Sequence, residues 1–357
     1  GEAKLAQDDS RLAASIVPTT CHDFTLLGST LLVRGDLARA EEALRQAQQL
    51  DGTSLWPWFL LGHCHYAERR FLESAGDFAV CAVRGPTFSW AHFNRGLALA
   101  KAGRLIGARD AYDRALEIDP DFAEAVVNRA LVELELDQLA AAQADLERAI
   151  RLGRDDVVIL AALGETFARQ GRRDEAERLF DGLLTRNSND LVALVARGIM
   201  RLKVDPESAR RDLNRALAID PRAAHAHYGM ALLTRRSDPH GALRHLDTAL
   251  DSDPHLTDAV QLRALVRARL GKREALDDVD RLIESPTRDR LFNAACAVAI
   301  YAREARDHRP LRHGLELLGR ALEAGFSAQE AAADPDLEAM RPLTEYARLI
   351  DQYRKIQ

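Results

Sequence analysis

The feature that most limits what this chain can fold into is a period of 34 residues. From Trp58 the sequence reads W-x-x-L-G-x-x-H, through Leu61, Gly62 and His65, and continues with Ser74, Phe78, Cys81 and Pro86. One period later the same slots hold His92, Arg95, Gly96, Leu99, Ala108, Tyr112, Ala115 and Pro120. The next shift gives Ala130, Ala142, Leu146 and Ala149, and the one after it Leu163, Gly164, Phe167, Ala176 and Phe180. A backward shift gives Leu27, Gly28, Leu31, Ala40 and Leu44. Such a chain does not close around one core. Each unit buries its apolar face on its neighbours.

Within each unit, two stretches carry apolar residues at helical spacing. Small slots such as Gly62, Gly96 and Gly164 let two helices approach, and large ones such as Phe78, Tyr112 and Phe180 fill the space beside them. The turn between helices is polar, as in "KAGRLIGA". The second helix stops near "EIDP" or "AIDP", where proline cannot extend one helix but can begin the next.

Units fall at 21–54, 55–88, 89–122, 123–156 and 157–190, with two shorter ones at 191–223 and 224–256. In the short pair Asp205-Pro206 and Asp238-Pro239 replace the turn, with Asp as cap and Pro in the first helical turn. A weaker unit at 257–289 completes eight over 21–289, and 290–326 reads as a stretched, degenerate ninth pair. Residues 327–357 read as polar capping helices, and 1–20 as a capping helix or half of a truncated repeat.

The recurrence of small and large residues together resembles the tetratricopeptide repeat. That resemblance implies an all-α, right-handed superhelical solenoid of helix-turn-helix repeats with terminal capping helices. It also implies a binding groove lined by the first helix of each unit, chiefly through its second, fifth, sixth, ninth, twelfth and thirteenth positions. On this chain those positions place Trp56, Phe59, His63 and Tyr66 in one unit and Trp90, Phe93, Asn94 and Lys101 in the next. Asn128 matches Asn94 one unit on. Trp58 and His65 fall in the inner packing slots instead. The expected site is one continuous aromatic patch of Trp56, Phe59, His63, Tyr66, Trp90 and Phe93, with Asn94 and Asn128 gripping the backbone of an extended or helical apolar peptide. The clamp for acidic tails found in some relatives of this repeat is not expected, because Phe59, Glu124 and Val158 stand where it needs basic or amide groups. Further along, Arg169, Lys203, Arg235, Arg236 and Arg269 turn the same face basic.

Chemistry is poorly supported. In "HCH", His63 and His65 lie about 200° apart around a helix and cannot share a metal. His225 and His227 fail in the same way. No G-x-S-x-G elbow, phosphate loop or kinase signature occurs. The four cysteines, Cys21, Cys64, Cys81 and Cys296, form no CxxC, which suits a reducing, cytoplasmic setting. A net charge of −6 argues against general nucleic-acid binding, and no apolar run is long enough for membrane insertion. No catalytic residue, metal or cofactor is expected.

The segments "LFNAACAVAIYA", "GLELLGRALEAGF" and "DPDLEAMRPLTEYARLI" resemble the end of repeat regions attached to planctomycete-type bacterial Ser/Thr protein kinases. The reading is a non-catalytic protein- or peptide-binding scaffold, as the partner- or substrate-recruiting region of a larger bacterial kinase-like protein. The alternative is a self-associating module whose groove is filled by its own termini.

Overall fold

In a computed structural model, residues 18–284 and 286–355 are described. The expectation for residues 1–17 lies outside them. Helices account for nearly all regular structure, and no strand occurs among the described residues. The chain is an all-α array of repeated helix pairs, divided into two compact units at Asp155 and Asp156.

The first unit contains four pairs: α1 (Cys21–Val33) with α2 (Leu37–Leu50), α3 (Trp56–Ala67) with α4 (Phe71–Arg84), α5 (Ser89–Lys101) with α6 (Leu105–Ile118), and α7 (Ala123–Glu135) with α8 (Leu139–Arg151). The glycine slots explain why the partners pair as they do. A Cβ added at Gly62 would lie 2.7 Å from the Phe78 ring, and one at Gly96 would lie 2.5 Å from Tyr112. The ring of the second helix occupies the volume that the first helix leaves empty. Phe78 and Tyr112 are accordingly buried to 1% exposure.

The second unit continues with α9 (Val157–Arg169), α10 (Arg173–Arg186), α11 (Leu191–Arg201), α12 (Pro206–Ile219), α13 (Ala224–Thr234), α14 (Pro239–Ser252), α15 (Thr257–Arg269) and α16 (Glu274–Leu282). Asp205 caps α12 by accepting from Ser208 N, and Asp238 caps α14 by accepting from Gly241 N, each followed by Pro at the first helical position. Next come α17 (Arg288–Glu304) and α18 (Leu311–Glu323), then α19 (Ala328–Ala333), a 3-10 turn (Pro335–Met340) and α20 (Thr344–Arg354). Helix α17 packs against α15, α16, α18 and the 3-10 turn, so it is buried almost all round, as its continuous apolar sequence requires. The closing segment is less polar than its sequence suggests, since it buries Leu337, Met340, Tyr346 and Ile350.

Turns within pairs need one left-handed residue. Gly35, Gly103, Gly171 and Gly271 supply it, while Arg69, Asp137 and Arg306 adopt the same conformation without being glycine. The Asp-Pro turns omit the residue altogether.

Some inner slots hold charge. Arg129 donates to Asp113 of the preceding pair at 2.6 Å and, through two nitrogens, to Asp145 of its own pair at 2.6 and 2.8 Å. Arg197 does the same between Asp181 and Asp212, and Arg263 between Asp247 and Asp278. The partners stand 16 residues before each arginine and 16, 15 and 15 after it. For Arg197 the loss of one residue follows the Asp205-Pro206 turn, whereas the turn between Arg263 and Asp278 keeps Gly271. In the intervening pairs Leu163 and Met230 take the arginine's slot. From Arg129 to Arg263 the slot therefore alternates between arginine and an apolar residue, whereas Leu27, Leu61 and Arg95 before it do not alternate.

Candidate binding face

The three residues of "HCH" go to three places. His63 sits edge-on to Phe59 at 4.7 Å and to Phe78 at 5.2 Å, and its burial lowers its pKa. Cys64 is fully buried in the α1–α3 core. His65 is buried between two carboxylates, with Nδ1 2.5 Å from Asp77 and Nε2 3.3 Å from Glu41. Burial pushes the Cys64 and Cys81 thiols up to about 11, far from the nucleophilic range at neutral pH. Among the described residues, no group of three or more His, Cys, Asp or Glu side chains is arranged to hold a metal. Among the described residues, no helix is long and apolar enough to cross a membrane.

The two tryptophans at the second position of their helices are open. Trp56 is 53% exposed and Trp90 47% exposed. Each lies on two phenylalanines. Trp56 meets Phe59 at 6.0 Å and Phe88 at 5.7 Å, and Trp90 meets Phe93 at 5.6 Å and Phe122 at 4.7 Å. Phe59 and Phe88 also contact each other, as do Phe93 and Phe122. The structure thus repeats one device, an exposed indole held upright by a phenylalanine of its own helix and another from the start of the next pair.

Phe88 and Phe122 were not among the expected site residues. They occupy the N-cap positions of α5 and α7 and make no capping hydrogen bond, whereas Asp156 and Asp190 fill the equivalent positions and do cap. An apolar residue where a cap is favoured was the available sequence signal. It forgoes roughly 1 kcal/mol of helix stabilisation relative to Asp, offset here by ring burial.

Other expected residues sit differently from the flat patch drawn from the sequence. Phe93 is only 7% exposed and Asn94 only 8%, so both are floor, not surface. Asn94 Nδ2 donates to the Trp90 carbonyl and Asn128 Nδ2 to the Glu124 carbonyl, both at 2.8 Å. Each amide thus spends one N–H on the helix that carries it. Tyr66 turns its ring to Phe71, at 5.3 Å, away from the Trp56 group, and burial raises its pKa. Trp58 packs half-buried beside Cys81, Ala82 and Ala91, with its indole nitrogen buried and unpartnered.

Two residues of the basic stretch are paired. Arg169 pairs with Glu165 at 3.6 Å and Arg269 with Asp336 at 3.5 Å. Asp205 and Asp238 follow Lys203 and Arg236 by two residues.

Comparison with known proteins agrees with this architecture. Tetratricopeptide repeat models match residues 89–122 and 127–190. Human DnaJ homolog subfamily C member 3 is 33% identical over 99 residues, covering 28% of this chain and 20% of the relative. Human protein IFIT1 homolog B is 30% identical over 151 residues, covering 39% of this chain and 32% of that protein. The matches thus span between a fifth and a third of these relatives' lengths. A tetratricopeptide repeat protein from Parabacteroides merdae superposes with a TM-score of 0.63 at 17% identity, covering 69% of this chain and 98% of its own, a likeness of fold alone.

Proposed function

We propose that this array of tetratricopeptide repeats is a non-catalytic scaffold that captures a protein or peptide on the face carrying Trp56 and Trp90. The observation that supports it is the duplicated indole-on-two-phenylalanines device. Two large apolar rings, each about half exposed, are held rigid at equivalent positions of successive units. Rigid aromatic anchors lose little side-chain entropy on binding, and interface energy tends to concentrate on them. His63 and Asn128 border the face, and Phe59, Phe93 and Asn94 support it from below.

The test is selection of binders from a random displayed peptide library on the intact chain. Trp56→Ala or Trp90→Ala should each weaken the recovered binders by about 2 kcal/mol while leaving helix content unchanged. Trp58→Ala should do the reverse, lowering stability by about 2–4 kcal/mol through the packing it loses. Binders indifferent to both Trp56 and Trp90 would remove the basis of the proposal.

That the array recruits partners or substrates for a larger bacterial kinase-like protein in the cytoplasm is a finer proposal, supported by the sequence of 290–350 alone. Reading the complete open reading frame decides it.

A further inference from the structure

We infer that His227 and His245 form a proton-operated clasp, which ties α13 to α14 at neutral pH and lets go in acid.

Geometry carries the argument. His227 Nδ1 lies 2.9 Å from His245 Nδ1, and the ring centroids are 5.2 Å apart. That separation leaves little beyond one ring radius on each side, so the two nitrogens face each other head-on. A metal between them would need about 2 Å to each nitrogen. The pair is therefore a hydrogen bond, and one nitrogen carries its proton. His227 Nε2 lies 3.0 Å from the Pro221 carbonyl, which can only accept. Nε2 thus holds the His227 proton, Nδ1 is bare, and His245 donates through Nδ1. The chain of bonds runs from α14 through α13 to the connection that leads into α13.

Packing does not call for these imidazoles. The slot of His227 holds Val126, Leu160, Leu194 and Val260 in four other units. The slot of His245 holds Leu179 in the pair built on Leu163, and Asp145, Asp212 and Asp278 in the arginine layers. Met230 stands where an arginine would face it.

Acid works against the pair. A proton on His227 Nδ1 would point two N–H groups at each other. A proton on His245 goes to Nε2 and charges a half-buried ring. Burial foremost, then His227 and Arg244, lower the His245 pKa from an ordinary 6.5, against the pull of Asp238. The carboxylates nearby are engaged. Asp238 pairs with Arg244 at 3.8 Å, Asp212 with Arg197 and Arg201, and Asp247 with Arg263 and Arg267. Below 6.5 the unfolded chain takes up a proton that the packed pair resists. The clasp is therefore at full strength above 6.5 and weakens as pH falls through the lowered pKa.

Two measurements on the intact chain test this. Nitrogen-15 NMR at about pH 8 should find His245 as the Nδ1–H tautomer and His227 as the Nε2–H tautomer. Nε2–H on both rings would overturn the clasp. Hydrogen exchange, corrected for intrinsic rates, should show 224–252 losing protection several-fold more than 191–219 between about pH 8 and about pH 5. The double substitution His227→Leu/His245→Leu places there the residue found in the same slots at Leu194 and Leu179, and should abolish that excess. An equal excess in parent and variant, or none in the parent, would overturn the release.

Discussion

Glu133 shows how far one residue can depart from its repeat. It is 6% exposed, and its Oε2 has no hydrogen-bond partner. Burial foremost, then the neighbouring Asp145, push its carboxyl up to about 7 from an ordinary 4.5, against the pull of Arg129. Between these values the unfolded chain has released the proton and the folded chain still holds it. The folded state binds more protons there, so stability falls as pH rises from about 4.5 to about 7 and stays lower above that. Glu133→Gln removes the charge at nearly constant shape. It should flatten this part of the pH profile and raise stability at pH 8 by about 1–3 kcal/mol. Urea unfolding at several pH values measures it, and parallel profiles for parent and variant would refute the assignment.

At the scale of helices and turns, two further outcomes are expected. Arg306 ends α17 with φ 54°, and the hydrogen bonds from Arg306 N to Arg303 O and Asp307 N to Ala302 O close the helix. A side chain at that φ is strained by about 1 kcal/mol. Arg306→Gly should therefore raise the thermal midpoint, and a lower midpoint would show that the arginine side chain matters more than its backbone. Asp278 is 1% exposed and faces both Arg263 and Arg267. Asp278→Ala leaves two part-buried guanidinium groups with less countercharge and should cost about 3 kcal/mol in chemical denaturation. A loss below about 0.5 kcal/mol would place the pair among surface ion pairs.

These elements also show what could be read in advance. Gly62 with Phe78 and Gly96 with Tyr112 were legible, because a steric complement leaves a small and a large residue at fixed spacing. The bond each asparagine makes to its own helix was not, because the sequence does not say that Nδ2 will turn back one helical turn. Phe88 and Phe122 escaped because the face was drawn from first helices alone, while the rings come from the residue just before them. The arginine layers escaped because they recur at twice the period that was sought.

For the molecule as a whole, the alternation of inner layers limits how such an array can grow or shrink. Removing 224–256 alone would place Asn214, from 191–223, where Asp247 now meets Arg263. Removing 191–256 would instead bring Asp181 to that place, and Arg263 would recover a carboxylate on both sides. The longer excision should therefore leave the more cooperative unfolding transition, although it discards twice as much chain. Thermal unfolding of the two variants compares them directly, and equal loss of cooperativity would show that the layers are interchangeable. Between Asp113 and Asp278 the array has parity: its helices repeat one unit at a time, but its charges are conserved only when units are gained or lost in twos.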